Sequence, residues 1–255
     1  MNISVTRTKI HVPKKRAGLL SRPRLNTILT DLLDYRFTLL SAPAGYGKTS
    51  LMIDLAHRAP HPVCWYSIDP LDKDPKRFLA HFIHAIKEVF PDFGKSSLIL
   101  LDSLTNPLNP PAQILSTVID DIFNSISENF VIFLDDFHLV NDQAEINDFI
   151  SQFGQQMDEN THLLISSRKM FNFPGLPLLI SHSQVNGVNQ KDLAFQPKEL
   201  RELYKEKHHK SISEEVCSQM VANTSGWITG LMLRQPGQNS LFPAQDKAAR
   251  ITGTN

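Results

Sequence analysis

The stretch SAPAGYGKTS, residues 41–50, lies between the apolar run FTLL (37–40) and the segment TSLMIDLAHRA (49–59). Written Ala42-x-x-x-x-Gly47-Lys48-Thr49, it fits the Walker A phosphate loop, with alanine in place of the first glycine, and it sits where that motif requires, between a buried strand and the start of a helix. Phosphate oxygens need several backbone N–H groups converging at short range. Only a loop with little side-chain bulk can offer them, and the helix N-terminus adds its partial positive charge. Gly45 and Gly47 supply that freedom within the run Ala44, Gly45, Tyr46, Gly47, Lys48, Thr49, Ser50. Lys48 is then expected to reach the β- and γ-phosphates and the Thr49 hydroxyl to ligate Mg²⁺. An ordinary glycine turn with a chance lysine is the competing reading, and the strand–loop–helix context disfavours it.

A phosphate loop calls for a metal-side carboxylate at the end of a second buried strand, and VIFLDDFHLV (131–140) supplies one. Asp135 is expected to hold Mg²⁺ or its water opposite Thr49. Asp136 either orients and deprotonates the water that attacks the γ-phosphate or is simply the solvated start of a loop. One strand later LLISSR (163–168) ends in Arg168. There, in the crevice at the carboxyl ends of the strands, a cation reads the γ-phosphate or, failing that, is a surface arginine.

The rest of the chain supports an α/β reading. FTLLS (37–41), VCWYSI (63–68), FVIFLD (130–135) and HLLISS (162–167) are short and apolar, as strands of a parallel sheet covered on both faces should be, and SQVNGV (183–188) is a weaker fifth. Between them, helical stripes follow Asp74-Pro75 (Phe78, Phe82, Ile83, Ile86), Pro110-Pro111 (Ile114, Leu115, Val118, Ile122, Phe123) and Asn141 (Ile146, Phe149, Ile150, Phe153), each expected to face the core. The expected architecture is a P-loop NTPase with a five-stranded, mostly parallel sheet sandwiched by helices. A short helical segment follows, because PKELRELYKEK and SEEVCSQMVANTSGW succeed one another without a strand. The divisions expected are an arm (1–28), a P-loop domain (29–195), a helical partial lid (196–233) and a polar tail (234–255) that does not pack.

Composition narrows the classes. In 255 residues, Lys and Arg total 26 and so do Asp and Glu, so bulk charge favours neither nucleic acid nor an anionic membrane. No apolar run approaches the length of a membrane span. Cys64 and Cys217 match no metal spacing and read as reduced core thiols of a cytoplasmic protein. His81 and His84 lack further ligands and read as a solvated helix face. Asp69, Asp72 and Asp74 lack the glycine and glutamate of a calcium loop. NQKD (189–192) lacks the lysine directly after asparagine that a guanine-reading motif requires.

Taken in order, LLSRPRLNTIL, SAPAGYGKT, CWYSIDPLDKDPKRF, LDDFHLV, LLISSR, DLAFQPKEL and TSGWITGLML, between about Lys9 and Leu233, resemble the landmarks of the MalT-like, LuxR-type large ATP-binding transcriptional regulators, signal-transducing ATPases with numerous domains. The resemblance implies ATP or ADP with Mg²⁺ as cofactors, Arg22 near the adenine, slow hydrolysis serving regulation, and self-association in the full-length context. Ser21 stands where related proteins often have glycine, and SGWITGLML lacks the proline many relatives carry in the lid, so no lid contact is assigned. Full-length members add a helical-repeat sensor and a helix-turn-helix. Neither is recognisable here, so the chain is expected to be the N-terminal part of such a regulator, without direct DNA binding or membrane attachment. A small-molecule P-loop kinase and an interaction fragment that no longer binds nucleotide are the alternatives. The first would usually need an arginine-rich lid, whereas the segment after Phe195 offers mainly Arg201, Lys205, Lys207 and Lys210. The second is at odds with the intact Lys48, Thr49 and Asp135.

Overall fold

The computed structural model describes residues 4–16, 18–106, 112–208 and 211–233. Five strands, β1 (Phe37–Ser41), β2 (Val63–Ser67), β3 (Phe130–Asp135), β4 (Thr161–Ser167) and β5 (Val185–Asn189), form one sheet in the order β2-β3-β4-β1-β5. Every pairing is parallel, with Leu39 opposite both Ile165 and Gly187, and Ser67 opposite Asp135. β3 and β4 are buried along their whole length, which is why their sequences are continuous apolar runs rather than alternating ones. The order places β4 between β1 and β3, so the carboxyl ends of these three strands lie side by side.

The helices are α1 (Thr27–Asp31), α2 (Lys48–Arg58), α3 (Pro75–Val89), α4 (Lys95–Ser103), α5 (Ala112–Ser125), α6 (Ala144–Gln156), α7 (Leu176–Ser181), α8 (Gln190–Leu193), α9 (Pro197–His208), α10 (Glu214–Thr224) and α11 (Ile228–Leu233). Alternation along each strand sends side chains to two separate cores. Phe37, Leu39, Tyr66, Ile132 and Leu163 meet α3, α5 and α6 on one face. Leu40, Trp65, Phe133 and Leu164 meet α1 and α2 on the other. The first core is aromatic: Phe82 stands edge-on to Phe149 and Phe153, with ring centroids 5.5 and 5.3 Å away. Burying each such ring contributes about 1.5–3 kcal/mol. α3 begins where Asp74 accepts a hydrogen bond from the Arg77 N–H and Pro75 occupies the first turn.

A third cluster joins α9, α10 and α11 through Leu200, Leu203, Tyr204, Cys217, Met220 and Leu231. Leu20, from the N-terminal arm, packs inside it. The arm and the helical segment, at opposite ends of the chain, thus share a core. Cys64 and Cys217 are buried free thiols. No helix among the described residues is long and apolar enough to cross a membrane.

Several local expectations change. Phe123 is exposed rather than packed, because the stripe of α5 turns inward only as far as Ile122. His81 is fully buried, not on a solvated face. The arm covers it: the Thr6 N–H donates to His81 Nε2 at 3.1 Å, and His81 Nδ1 lies 2.9 Å from the Arg77 carbonyl oxygen. The three aspartates that could suggest calcium have other roles. Asp69 and Asp74 cap helical turns, and Asp72, fully buried, pairs with Lys9 and Arg77. Asn189 and Asp192 of NQKD form the capping box of α8. The Pro110-Pro111 helix start, Lys210 and the tail 234–255 lie outside the described residues.

Burial holds three histidines, His81, His138 and His162, below their ordinary protonation range. Around His81, the charges of Lys9 and Arg77 reinforce burial, while the hydrogen bond to the Arg77 carbonyl and the charge of Asp72 oppose it. The Tyr66 ring stacks on it. Because the unfolded chain takes up these protons more readily than the folded one, stability is complete above about pH 6.5 and falls as pH drops below it. Melting temperature is therefore expected to decline from pH 8 to pH 5, and less steeply in His81→Gln. A flat profile in the parent protein would contradict the burial of neutral imidazoles.

Candidate functional site

The loop between β1 and α2 takes the shape its glycines allow. Gly45 and Gly47 sit at φ +81° and +79°, in the left-handed region that side chains disfavour, and Gly47 caps α2. Lys48 opens the helix, and its ammonium turns back along the loop to donate to the carbonyl oxygens of Ala42 (2.6 Å) and Pro43 (3.1 Å). Burial lowers its pKa and the Arg168 charge adds to this, while Asp136 and Asp135 act in the opposite direction. The hydrogen bonds of this buried cation thus go to neutral carbonyls of the loop's own base.

Asp135, at the carboxyl end of β3, is 3% exposed. Ser166 Oγ donates to its Oδ1 at 2.5 Å and the Asp136 N–H donates to the same oxygen at 3.1 Å, while the Thr49 hydroxyl is near enough to favour the charged carboxylate. Burial pushes the Asp135 carboxyl above the usual range. The Asp136 charge adds to that push, and Ser166, Thr49 and the Asp136 N–H resist it. Thr49 at the start of α2 and Asp135 at the end of β3 lie on the same side of the sheet, and Ser166 of β4 steadies the carboxylate. One carboxylate and one hydroxyl are a donor set that fits a hard divalent cation which keeps most of its waters.

Asp136 adopts φ 60° and ψ 35°, a left-handed conformation stored at the strand end. Its carboxylate lies 3.8 Å from Arg168 Nε and 3.6 Å from His138 Nδ1. His138 is partly buried, and Arg168 is half exposed. Ala44, Gly45, Gly47, Lys48, Thr49, Ser50, Asp136 and Arg168 together line a cleft of about 270 Å³, closed on one side by Ile228 and Thr229.

Gly47, Ser50 and Ile228 also line a second cavity of about 140 Å³ on the arm side, with Leu19, Leu20, Leu51, Phe195 and Met232. Arg22 lines this cavity, but its guanidinium is engaged. Nε and Nη2 donate to Glu199 at 3.0 Å each, Nη1 donates to the Leu193 carbonyl and Nη2 to that of Ala194, and the plane lies 4.3 Å from the Phe195 ring. The pair opposes the desolvation of Glu199 and holds its carboxyl below the usual range. Arg22 therefore offers the cavity a fixed wall and ties the arm to α9. Tyr46 is buried under the loop, with its hydroxyl 2.7 Å from Gln190 Nε2. Ser166, His138, Glu199 and the Trp227–Thr229 turn are partners that sequence reasoning did not single out. The signals for them were a serine near the end of β4, a histidine two residues beyond the paired aspartates, and the tryptophan of SGWITG; for Glu199 there was none.

No family model matches the chain. Over 97% of its length it is 27% identical to the HTH-type transcriptional regulator MalT of Yersinia pestis (strain Pestoides F), and equally so to that of Yersinia enterocolitica serotype O:8. It spans about a quarter of these relatives, 27% of their length. Among solved structures, the Walker-type ATPase paby2304 of Pyrococcus abyssi aligns with 87% of this chain and 68% of its own at 14% identity and a TM-score of 0.48. Cdc6p from Pyrobaculum aerophilum aligns with 86% and 57% at 16% identity and a TM-score of 0.47. The sequence similarity is to part of the MalT regulators, and the five-stranded parallel sheet with its glycine loop between β1 and α2 is a P-loop fold.

Proposed function

We propose that this MalT-like region is an adenine-nucleotide switch: it binds ATP or ADP with Mg²⁺, hydrolyses ATP slowly, and transmits the state of the γ-phosphate to the helical segment and, in a longer regulator, to self-association and transcription. The carrying observation is the cleft in which Lys48, Thr49, Asp136 and Arg168 gather around the left-handed glycines of the loop, with Asp135 at the adjoining strand end. Two cavities sharing Gly47, Ser50 and Ile228 suit a ligand with a polyanionic end and a flat apolar end, with phosphates over the loop and the base against Leu19, Leu20, Phe195 and Met232. Thr49 and Asp135 would hold Mg²⁺, which when bound would supply neutralisation of the phosphate charge. Lys48 exchanges its loop carbonyls for phosphate oxygens, Asp136 holds the attacking water, and Arg168 faces the terminal phosphate. The P-loop domain, helical lid and arm act as the units of this switch, in a cytoplasmic setting. The balanced charge supports a chain that does not itself bind DNA.

The switch predicts that hydrogen exchange differs between Mg²⁺–ADP and a non-hydrolysable Mg²⁺–ATP analogue, at residues 166–170 and in the helical segment. Identical protection in the two states would leave binding but remove the switch. A narrower prediction concerns the metal. Asp135→Asn keeps the size of the side chain and one acceptor oxygen for Ser166 and the Asp136 N–H but removes the charge, so nucleotide binding should become insensitive to Mg²⁺ in titrations with and without EDTA. A parent-like Mg²⁺ response would place the metal elsewhere.

A further inference from the structure

The SGWITG stretch is shaped around the phosphate loop. Gly226, at φ +70°, lets the chain turn against Phe195, whose N–H donates to the Gly226 carbonyl at 2.9 Å. A Cβ on Gly226 would come within 2.8 Å of the Phe195 backbone and the Ala194 side chain. Gly230 leaves room for the Trp227 ring, which a Cβ there would meet at 2.4 Å. So seated, Trp227 points its Nε1–H at the Ala44 carbonyl, 2.9 Å away. Two residues on, both the N–H and the hydroxyl of Thr229 donate to the Gly45 carbonyl at 3.3 Å. The approach is tight enough that a Cβ on Gly45 would lie 2.3 Å from Trp227 Nε1 and 2.5 Å from Thr229 Oγ1.

We infer that Trp227 and Thr229 are positioning residues for the phosphate cradle, a latch by which the helical segment holds the Ala44 and Gly45 carbonyls outward and so presents the loop's N–H groups to phosphate. The inference rests on the nucleotide reading of the site but assigns the latch to side chains on the far segment. A cradle works only if its N–H groups already converge, since a loose glycine loop must lose backbone entropy at the moment of binding. Three hydrogen bonds from outside the loop remove that cost in advance. The same bonds make the seat of α11 depend on the conformation of the loop, so phosphate in the cradle and closure of the helical segment favour one another.

The test uses the full chain and the variants Trp227→Phe, which keeps a ring over Gly230 without the N–H, Thr229→Val, which keeps the shape without the hydroxyl, and Thr229→Ser, which restores it. Melting curves establish that each is folded. Affinities for ADP and for adenosine are then measured side by side, with hydrogen exchange of residues 44–49 in nucleotide-free protein. Loss of one such bond is expected to weaken ADP about three- to tenfold. Adenosine binding should be unchanged, exchange of the loop faster, and Thr229→Ser parent-like. Parent-like ADP affinity and loop exchange in both Trp227→Phe and Thr229→Val overturn the latch. An equal loss for adenosine and ADP also overturns it, because the segment would then only wall the base cavity. If the parent chain binds neither ligand, the nucleotide reading fails and the exchange of the empty loop alone decides: faster exchange in the variants supports the latch, and unchanged exchange overturns it.

Discussion

Asp136→Asn is expected to bind ATP as the parent protein does and to hydrolyse it about 10²–10⁴-fold more slowly, the usual contribution of a positioned general base. The substitution preserves volume and tolerates the left-handed backbone at this position, where asparagine is as acceptable as aspartate. It removes the acceptor charge that faces Arg168 and His138. Asp135, which holds the metal side, is untouched, so binding and chemistry should separate. Single-turnover phosphate release beside equilibrium titration measures both. Parent-like hydrolysis would make Asp136 the start of a loop and nothing more.

Lys48→Ala should weaken ATP and ADP about ten- to a hundredfold, in keeping with about 1.5–3 kcal/mol for hydrogen bonds to a charged group. The fold should survive. The ammonium contacts only carbonyls at the loop's own base, and the core beneath is formed by Leu51, Met52 and Leu55 of α2 and by Tyr46. Calorimetric titration with each nucleotide, alongside a melting curve, reads the two effects independently. Unchanged affinity in a folded variant would mean that the lysine does not reach phosphate.

What the sequence makes legible here is local. β1 and β3 match their apolar runs residue for residue, and α3 starts at the Pro75 that follows its capping aspartate, because a buried strand and a capped helix carry their whole signal within a few positions. The phosphate loop is legible for the same reason, and so is the strand end at which Asp135 and Asp136 stand. α4 is not: KSSLILLDS shows a solid apolar run rather than a helical stripe, and its start depends on Gly94 at φ +81°. Still less visible are contacts between distant segments. The bonds from Arg22 to Glu199 join residues 177 apart, and the one from Trp227 to Ala44 spans 183. No periodicity encodes such pairs. The burial of His81 escapes notice because the arm that covers it lies 75 residues upstream.

These long-range ties make the account specific. A phosphate loop alone would bind anions. A loop latched from α11 and an arm anchored through Arg22 to α9 enclose two adjoining cavities, and the claim is that one adenine nucleotide with Mg²⁺ fills both. The most direct measurement is a calorimetric titration of the nucleotide-free chain with ADP and Mg²⁺, repeated with Lys48→Ala and with inorganic pyrophosphate. One site per chain, weakened by the substitution and bound more tightly by ADP than by pyrophosphate, is the result predicted. No binding to the parent chain, or equal affinity for ADP and pyrophosphate, would contradict it.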